Sequence, residues 1–161
     1  MQDADRRLII IGVGNPILAD DSVGIKIARS LKERLCRYKH VVVSETCAGG
    51  IRLLDELVGY DMAIIVDAIV TDNGKPGTVY LLSPSDIVKT RNTFSTHDTN
   101  LSTALEMGRM LGLSLPQEIK IWAIEVKDVT SFSQELTEDV EKAVPIVVER
   151  VIEDLKINIK D

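Results

Sequence analysis

Apolar residues fall along the chain in two rhythms: short unbroken runs of aliphatic residues, and stripes that repeat every three or four positions. Leu8 to Val13 is one such run, apolar at nearly every position as a strand covered on both faces must be, and Gly14 ends it. From Ser22 to Cys36 the apolar positions include Val23, Ile27, Leu31 and Leu35, the stripe of an amphipathic helix. VVVSE (Val41 to Glu45) predicts a second strand, AGG turns the chain toward a short helix over Ile51 to Val58, and MAIIVDAI (Met62 to Ile69) predicts a third strand, apolar except for Asp67. A strand, a helix and a strand, repeated, make right-handed parallel crossovers.

The next connection breaks that pattern. Only TDNGKPG separates the third strand from TVYLLS (Thr78 to Ser83), and those seven turn-rich residues leave no room for a crossover helix. The fourth strand is therefore expected to run antiparallel. After SPSD, a loop through STHD leads into a helix from about Asn100 to Leu111, ended by Gly112 and Pro116. IKIWAIEV (Ile119 to Val126) predicts a fifth strand, and a closing helix runs from Thr137 to about Leu155, with Thr137 and Asp139 near its start. The expected fold class is α/β: a three-layer α/β/α sandwich around a mixed five-stranded sheet with the fourth strand antiparallel, one domain over residues 1–161.

Composition narrows the function. With 25 acidic against 19 basic residues, the net charge of −6 opposes nucleic-acid binding, and at 4% aromatic there is little with which to stack bases. The first residues, MQDADRR, lack the apolar centre of a signal peptide, and no apolar run approaches the ~20 residues of a membrane span. Cys36 and Cys47 form neither a framework nor a CxxC pair, which suits a reducing, cytoplasmic setting.

The loop GVGNPILADDSVG, Gly12 to Gly24, carries the strongest chemical signal. Glycines directly after a strand usually announce a phosphate cradle, yet this loop runs into Asp20 and Asp21, which repel phosphate. A dinucleotide fingerprint needs a third glycine where Ile17 stands. In doubly wound sheets, functional groups gather beyond the C-terminal ends of the parallel strands. That edge collects Asp20 and Asp21 after strand one and Asp67 near the end of strand three; His97 lies in a polar loop before a helix. Two carboxylates and an imidazole make a three-ligand site with open positions, suited to zinc, nickel or a similar divalent ion. Plainer readings stand beside this one. Asp20, Asp21 or Ser22 could cap the first helix, Asp67 could accept loop amides, and His97 could cap or lie at the surface like His40. Cys47 fits a small packing residue better than a nucleophile, while Glu125 and Lys127 either line the far wall of the cleft or face solvent. A phosphoacceptor receiver domain shares an imitation set, Asp20, Asp21, Asp67, Ser83 and Lys127. Against it, six residues (Gly14 to Ala19) separate strand one from the acids, and TDNGKPG cannot supply the helix that a receiver needs.

With those residues in place, the chain resembles the maturation endopeptidases of nickel–iron hydrogenases over nearly its whole length. GVGNPILADDSVG is similar to the opening G-x-G-N-x-x-x-x-D-[DE]-x-x-G of that family, and IIVDAI, NGKPG, STHDTNLSTAL and IEVKDVTSFSQELTEDVEKAV follow in order. The resemblance implies a peptidase that removes a C-terminal extension from the hydrogenase large-subunit precursor after its nickel is inserted. It implies Asp21, Asp67 and His97 as the catalytic, metal-contacting residues, with glutamate in place of Asp21 in some relatives. The nickel is expected to arrive with the precursor and to serve as a recognition signal; Asp20 is a candidate general base or supporting group. ETCAGG with Cys47, Glu125 in place of a common glutamine, and Ser22 in place of a common glycine depart from the family pattern and are expected to touch substrate. A nickel-binding checkpoint module without hydrolysis uses the same ligands and stays open as an alternative.

Overall fold

The computed structural model describes residues 6–47, 49–89 and 101–158. Five strands, β1 (Leu8–Val13), β2 (Val41–Thr46), β3 (Met62–Ile69), β4 (Val79–Leu82) and β5 (Glu118–Glu125), form one sheet in the order β2-β1-β3-β5-β4. β1, β2, β3 and β5 are parallel, and β4 runs antiparallel to β5, with Tyr80 opposite Ala123. β1 and β3 are buried at every position, so their near-continuous apolar runs match a sheet covered on both faces.

The helices α1 (Val23–Arg34) and α5 (Glu138–Asn158) cover one face, where Ile10, Ile27, Leu31, Ile64, Val147 and Val151 share a core. The helices α2 (Ile51–Leu57), α3 (Pro84–Lys89) and α4 (Leu101–Met110) belong to the other side, where Ile11, Leu57, Ile65, Ile87 and Leu105 pack together. The three-layer sandwich with its mixed sheet is the architecture expected from the periodicity. Two local features differ. A 3-10 turn, Ala19–Ser22, precedes α1, so α1 begins one residue later than its stripe suggests. SPSD, expected to lead into a loop, instead opens α3, and Asp86 closes its start: Ser83 N and Ser83 Oγ both donate to Asp86 Oδ2 at 2.8 Å. Pro84 at the first helical position fits the same start.

The glycines of the opening motif are explained by close approach. A Cβ on Gly24 would lie 2.4 Å from the carbonyl oxygens of both Val13 and Val66, and one on Gly12 would lie 2.4 Å from Gly24 O. The first turn of α1 therefore rests directly on the backbone of β1 and β3, which brings the Ala19–Ser22 turn onto the C-terminal rim of the sheet beside β3. These glycines serve helix–sheet contact, and no phosphate needs to be invoked.

Gly24→Ala must push α1 off two backbone carbonyls at once. The expected loss of unfolding free energy in urea is about 2 kcal/mol. A variant as stable as wild type would show that the contact can relax.

Candidate functional site

The rim is organised by Asp20. Its side chain is completely buried, and four donors from a distant loop converge on it. Oδ1 accepts the Thr137 amide at 2.7 Å; Oδ2 accepts the amides of Lys127 at 3.1 Å and Asp128 at 3.0 Å and the Thr137 hydroxyl at 2.8 Å. Backbone bonds run alongside: Asp20 N donates to Asp128 O at 2.8 Å and Ala19 N to Ser133 O at 2.8 Å. Ala19 is held at φ 37°, the left-handed region that costs an alanine roughly 1–2 kcal/mol, and this network is what holds it there. Asp20 thus neither caps α1 nor stands available as a general base. Its oxygens are committed to pinning the β1–α1 loop to the β5–α5 loop. Ser22 is likewise buried, with Oγ donating to Ala19 O at 2.7 Å, and it does not face a substrate.

Asp21, the next residue, is only half-buried. Its Oδ2 accepts the Asn15 amide at 2.9 Å, which closes the 15–21 loop and orients the carboxylate. Its Oδ1 takes no hydrogen bond from the described residues and is available to a cation. Asp67 stands at the same rim, near the end of β3, and is buried to 1% exposure, with Oδ1 accepting the Ala68 amide at 2.8 Å. The Ala19–Ser22 turn packs against β3, so the structure brings the loop of Asp21 and the strand end of Asp67 together. His97 lies outside the described residues, and among the described residues no three His, Cys, Asp or Glu side chains gather as a ligand set. Cys47 is exposed just beyond β2.

Glu125, expected either to line the cleft or to face solvent, is buried to 1% exposure. Its carboxylate accepts the Thr71 amide at 2.8 Å, the Thr71 hydroxyl at 2.9 Å and the Tyr80 hydroxyl at 3.3 Å. A Cβ on Gly74 would fall 1.9 Å from Glu125 Cδ, so the β3–β4 loop lies flat on this carboxylate. Burial, and then the Glu125 negative charge and its hydrogen bond, push the Tyr80 phenol above its ordinary range. Glu125 is therefore a second loop anchor, which alternation along β5 could have suggested: it shares a face with the buried Ile121 and Ala123. The receiver arrangement is excluded by the antiparallel β4 and by the helix-free 70–78 connection.

Comparison with known proteins agrees with these elements. A family model described as hydrogenase maturation protease matches residues 25–154. The hydrogenase 2 maturation protease of Escherichia coli (strain K12) is 31% identical over 107 residues, 66% of this chain and 65% of that relative, so the match spans just under two thirds of its length. A hydrogenase expression/formation protein, HupD, of Thiocapsa roseopersicina is 22% identical over 153 residues, 93% of this chain and 68% of its own. Among solved structures, the hydrogenase maturating endopeptidase HybD from E. coli superposes with a TM-score of 0.79 at 26% identity, covering 93% of this chain and 92% of that one. A [NiFe] hydrogenase maturation protease HybD from Thermococcus kodakarensis superposes with a TM-score of 0.71 at 26% identity, over 92% and 98% of the two chains.

Two outcomes follow from the anchors. Asp20→Ala strips four donors of their shared acceptor, and urea unfolding is expected to show a loss of about 3 kcal/mol, whereas a loss under about 1 kcal/mol would mean that the clamp is dispensable. For Tyr80 the folded phenol holds its proton more tightly than the unfolded one. Its contribution is therefore complete below the unfolded pKa of about 10 and lost as pH rises through the higher folded value. Urea midpoints measured across the alkaline range should fall for wild type and fall less steeply for Tyr80→Phe; parallel curves would contradict this.

Proposed function

The chain belongs to the hydrogenase maturation protease family, and from that premise we propose that it is an endopeptidase that removes the C-terminal extension of a nickel–iron hydrogenase large-subunit precursor once nickel is in place. The observation that carries this reading is the pairing of unlike acids at one rim. Asp20 is sealed into the scaffold, and Asp21 beside it keeps an oriented, half-exposed carboxylate next to the strand end of Asp67. A rim built this way suits a cation carried in by a substrate.

In the proposed reaction the precursor presents its nickel to Asp21, Asp67 and His97, which serve as the catalytic and metal-contacting residues. Asp21 offers Oδ1 while the Asn15 amide holds Oδ2, so the carboxylate meets the ion without first reorganising. The substrate's cation, held by these side chains, places the scissile peptide and polarises it or an attacking water. The nickel is part of the substrate, and a precursor without it lacks what the site recognises. The two free cysteines fit the reducing cytoplasm in which we place the reaction.

Incubation with nickel-loaded precursor, followed by weighing of the products, is the test. The precursor should lose the mass of its C-terminal peptide with wild type, and metal-free precursor should keep its full mass. Asp21→Asn and His97→Ala should each slow processing by about a hundredfold or more while melting like wild type. A precursor that stays whole yet remains bound would mark a checkpoint module in place of a peptidase, and unslowed variants would remove these residues from the chemistry.

A further inference from the structure

The loop of Asp21 carries an apolar feature that the chemistry above leaves unused. Leu18 and Ser133 pair as an isolated parallel bridge. Ser133 N donates to Ile17 O at 3.0 Å and Ala19 N donates to Ser133 O at 2.8 Å, so the two loops are tied backbone to backbone at this point. Ile17, whose carbonyl accepts the Ser133 amide, and Phe132 each stand one residue before a bridge partner, so the two are neighbours across the bridge. Both meet solvent: Ile17 is 49% exposed and Phe132 84%. Neither joins either core cluster.

We propose that Ile17 and Phe132 form an apolar lip that seats one hydrophobic side chain of the precursor segment bordering the cut, making them specificity-determining residues. This rests on the peptidase reading, because that reading supplies the occupant. Ile17 lies in the loop that the Asn15 amide closes onto Asp21, so a polypeptide reaching Asp21 runs past the lip. The lip is also stiff. Asp20 pins its two loops from beneath, and Lys26 Nζ ties α1 to Gln134 O at 2.5 Å. An aromatic beside a branched aliphatic on loops whose backbones are already tied gains contact area without first ordering those loops, which favours a hot spot. The chemistry favours an aliphatic or aromatic residue in that precursor segment and refuses a charged one.

The test compares wild type with Ile17→Ser, Phe132→Ser and Phe132→Leu on nickel-loaded precursor, reading KM, kcat and, independently of cutting, the Kd for the precursor. Each serine variant should raise KM and Kd about tenfold with kcat within about twofold, and Phe132→Leu should recover most of the loss. Unchanged KM and Kd in serine variants that melt like wild type overturn the lip. So does a Phe132→Ser change confined to self-association, seen as altered sedimentation of the free protein. If wild type binds the precursor without cutting it, the peptidase reading falls and the Kd ratios still decide the lip. If wild type does not bind at all, the lip falls too.

Discussion

A carboxylate with no contact to water holds the rim of this molecule together. Asp20 accepts from Lys127, Asp128 and Thr137, more than a hundred residues away in sequence, and so closes the first loop of the fold onto the last. Burying an acid is costly unless its oxygens are satisfied, and here four donors converge on two atoms. One of them is the backbone amide of Thr137, directly before α5 begins at Glu138, so the charge also sits at the positive end of a long helix. The rest of the rim follows from this junction: the left-handed Ala19, the bridge at Leu18 and Ser133, and the position from which Asp21 projects.

A second carboxylate does comparable work on the other side of the sheet centre. Glu125 ends β5 and binds the loop that leaves β3, while Gly77 N donates to Glu125 O at 2.8 Å and Glu125 N donates to Thr78 O at 2.8 Å. The chain leaving Asp67 therefore passes at once into an anchored segment. Between the two anchors, Gly12 and Gly24 set how closely α1 approaches β1 and β3. Loop geometry at this edge is fixed by a few buried polar groups and two missing side chains, with the apolar core lying below.

The strands and most helices were legible because their signals are periodic. β1 and β3 read as unbroken apolar runs, α1 as a stripe, and the turn-rich connection after β3 announced an antiparallel β4. The helix α3 was missed because six residues are too few for a stripe, although S-P-S-D is itself a capping signature. The acids were harder. Adjacent aspartates in a loop look equivalent in a sequence, and which one faces inward depends on a partner loop that closes only in three dimensions. In the sequence Asp20 is open to helix capping, base chemistry or a supporting role, and the structure favours the last because its donors belong to residues 127–137. The sequence points Glu125 to the cleft or to solvent because charged residues are seldom buried, a rule that fails where hydroxyls and amides converge.

The adjacency of Asp20 and Asp21 is the means by which a rigid site is made from a loop. Successive residues in this tight turn point in different directions, so if one side chain is driven into the protein and saturated, the next is carried outward along a fixed vector. The inward acid supplies rigidity, because four donors hold its two oxygens inside the protein. The outward acid keeps one oxygen unengaged by the described residues and is steadied through the other by Asn15. A single aspartate could not do both, because the burial that lets Asp20 collect four donors closes it to solvent. Placing the two roles on consecutive residues lets the scaffold be as rigid as a core while the Asp21 carboxylate stays half-buried, and in the proposed reaction a cation brought by the substrate then meets it without rebuilding the loop.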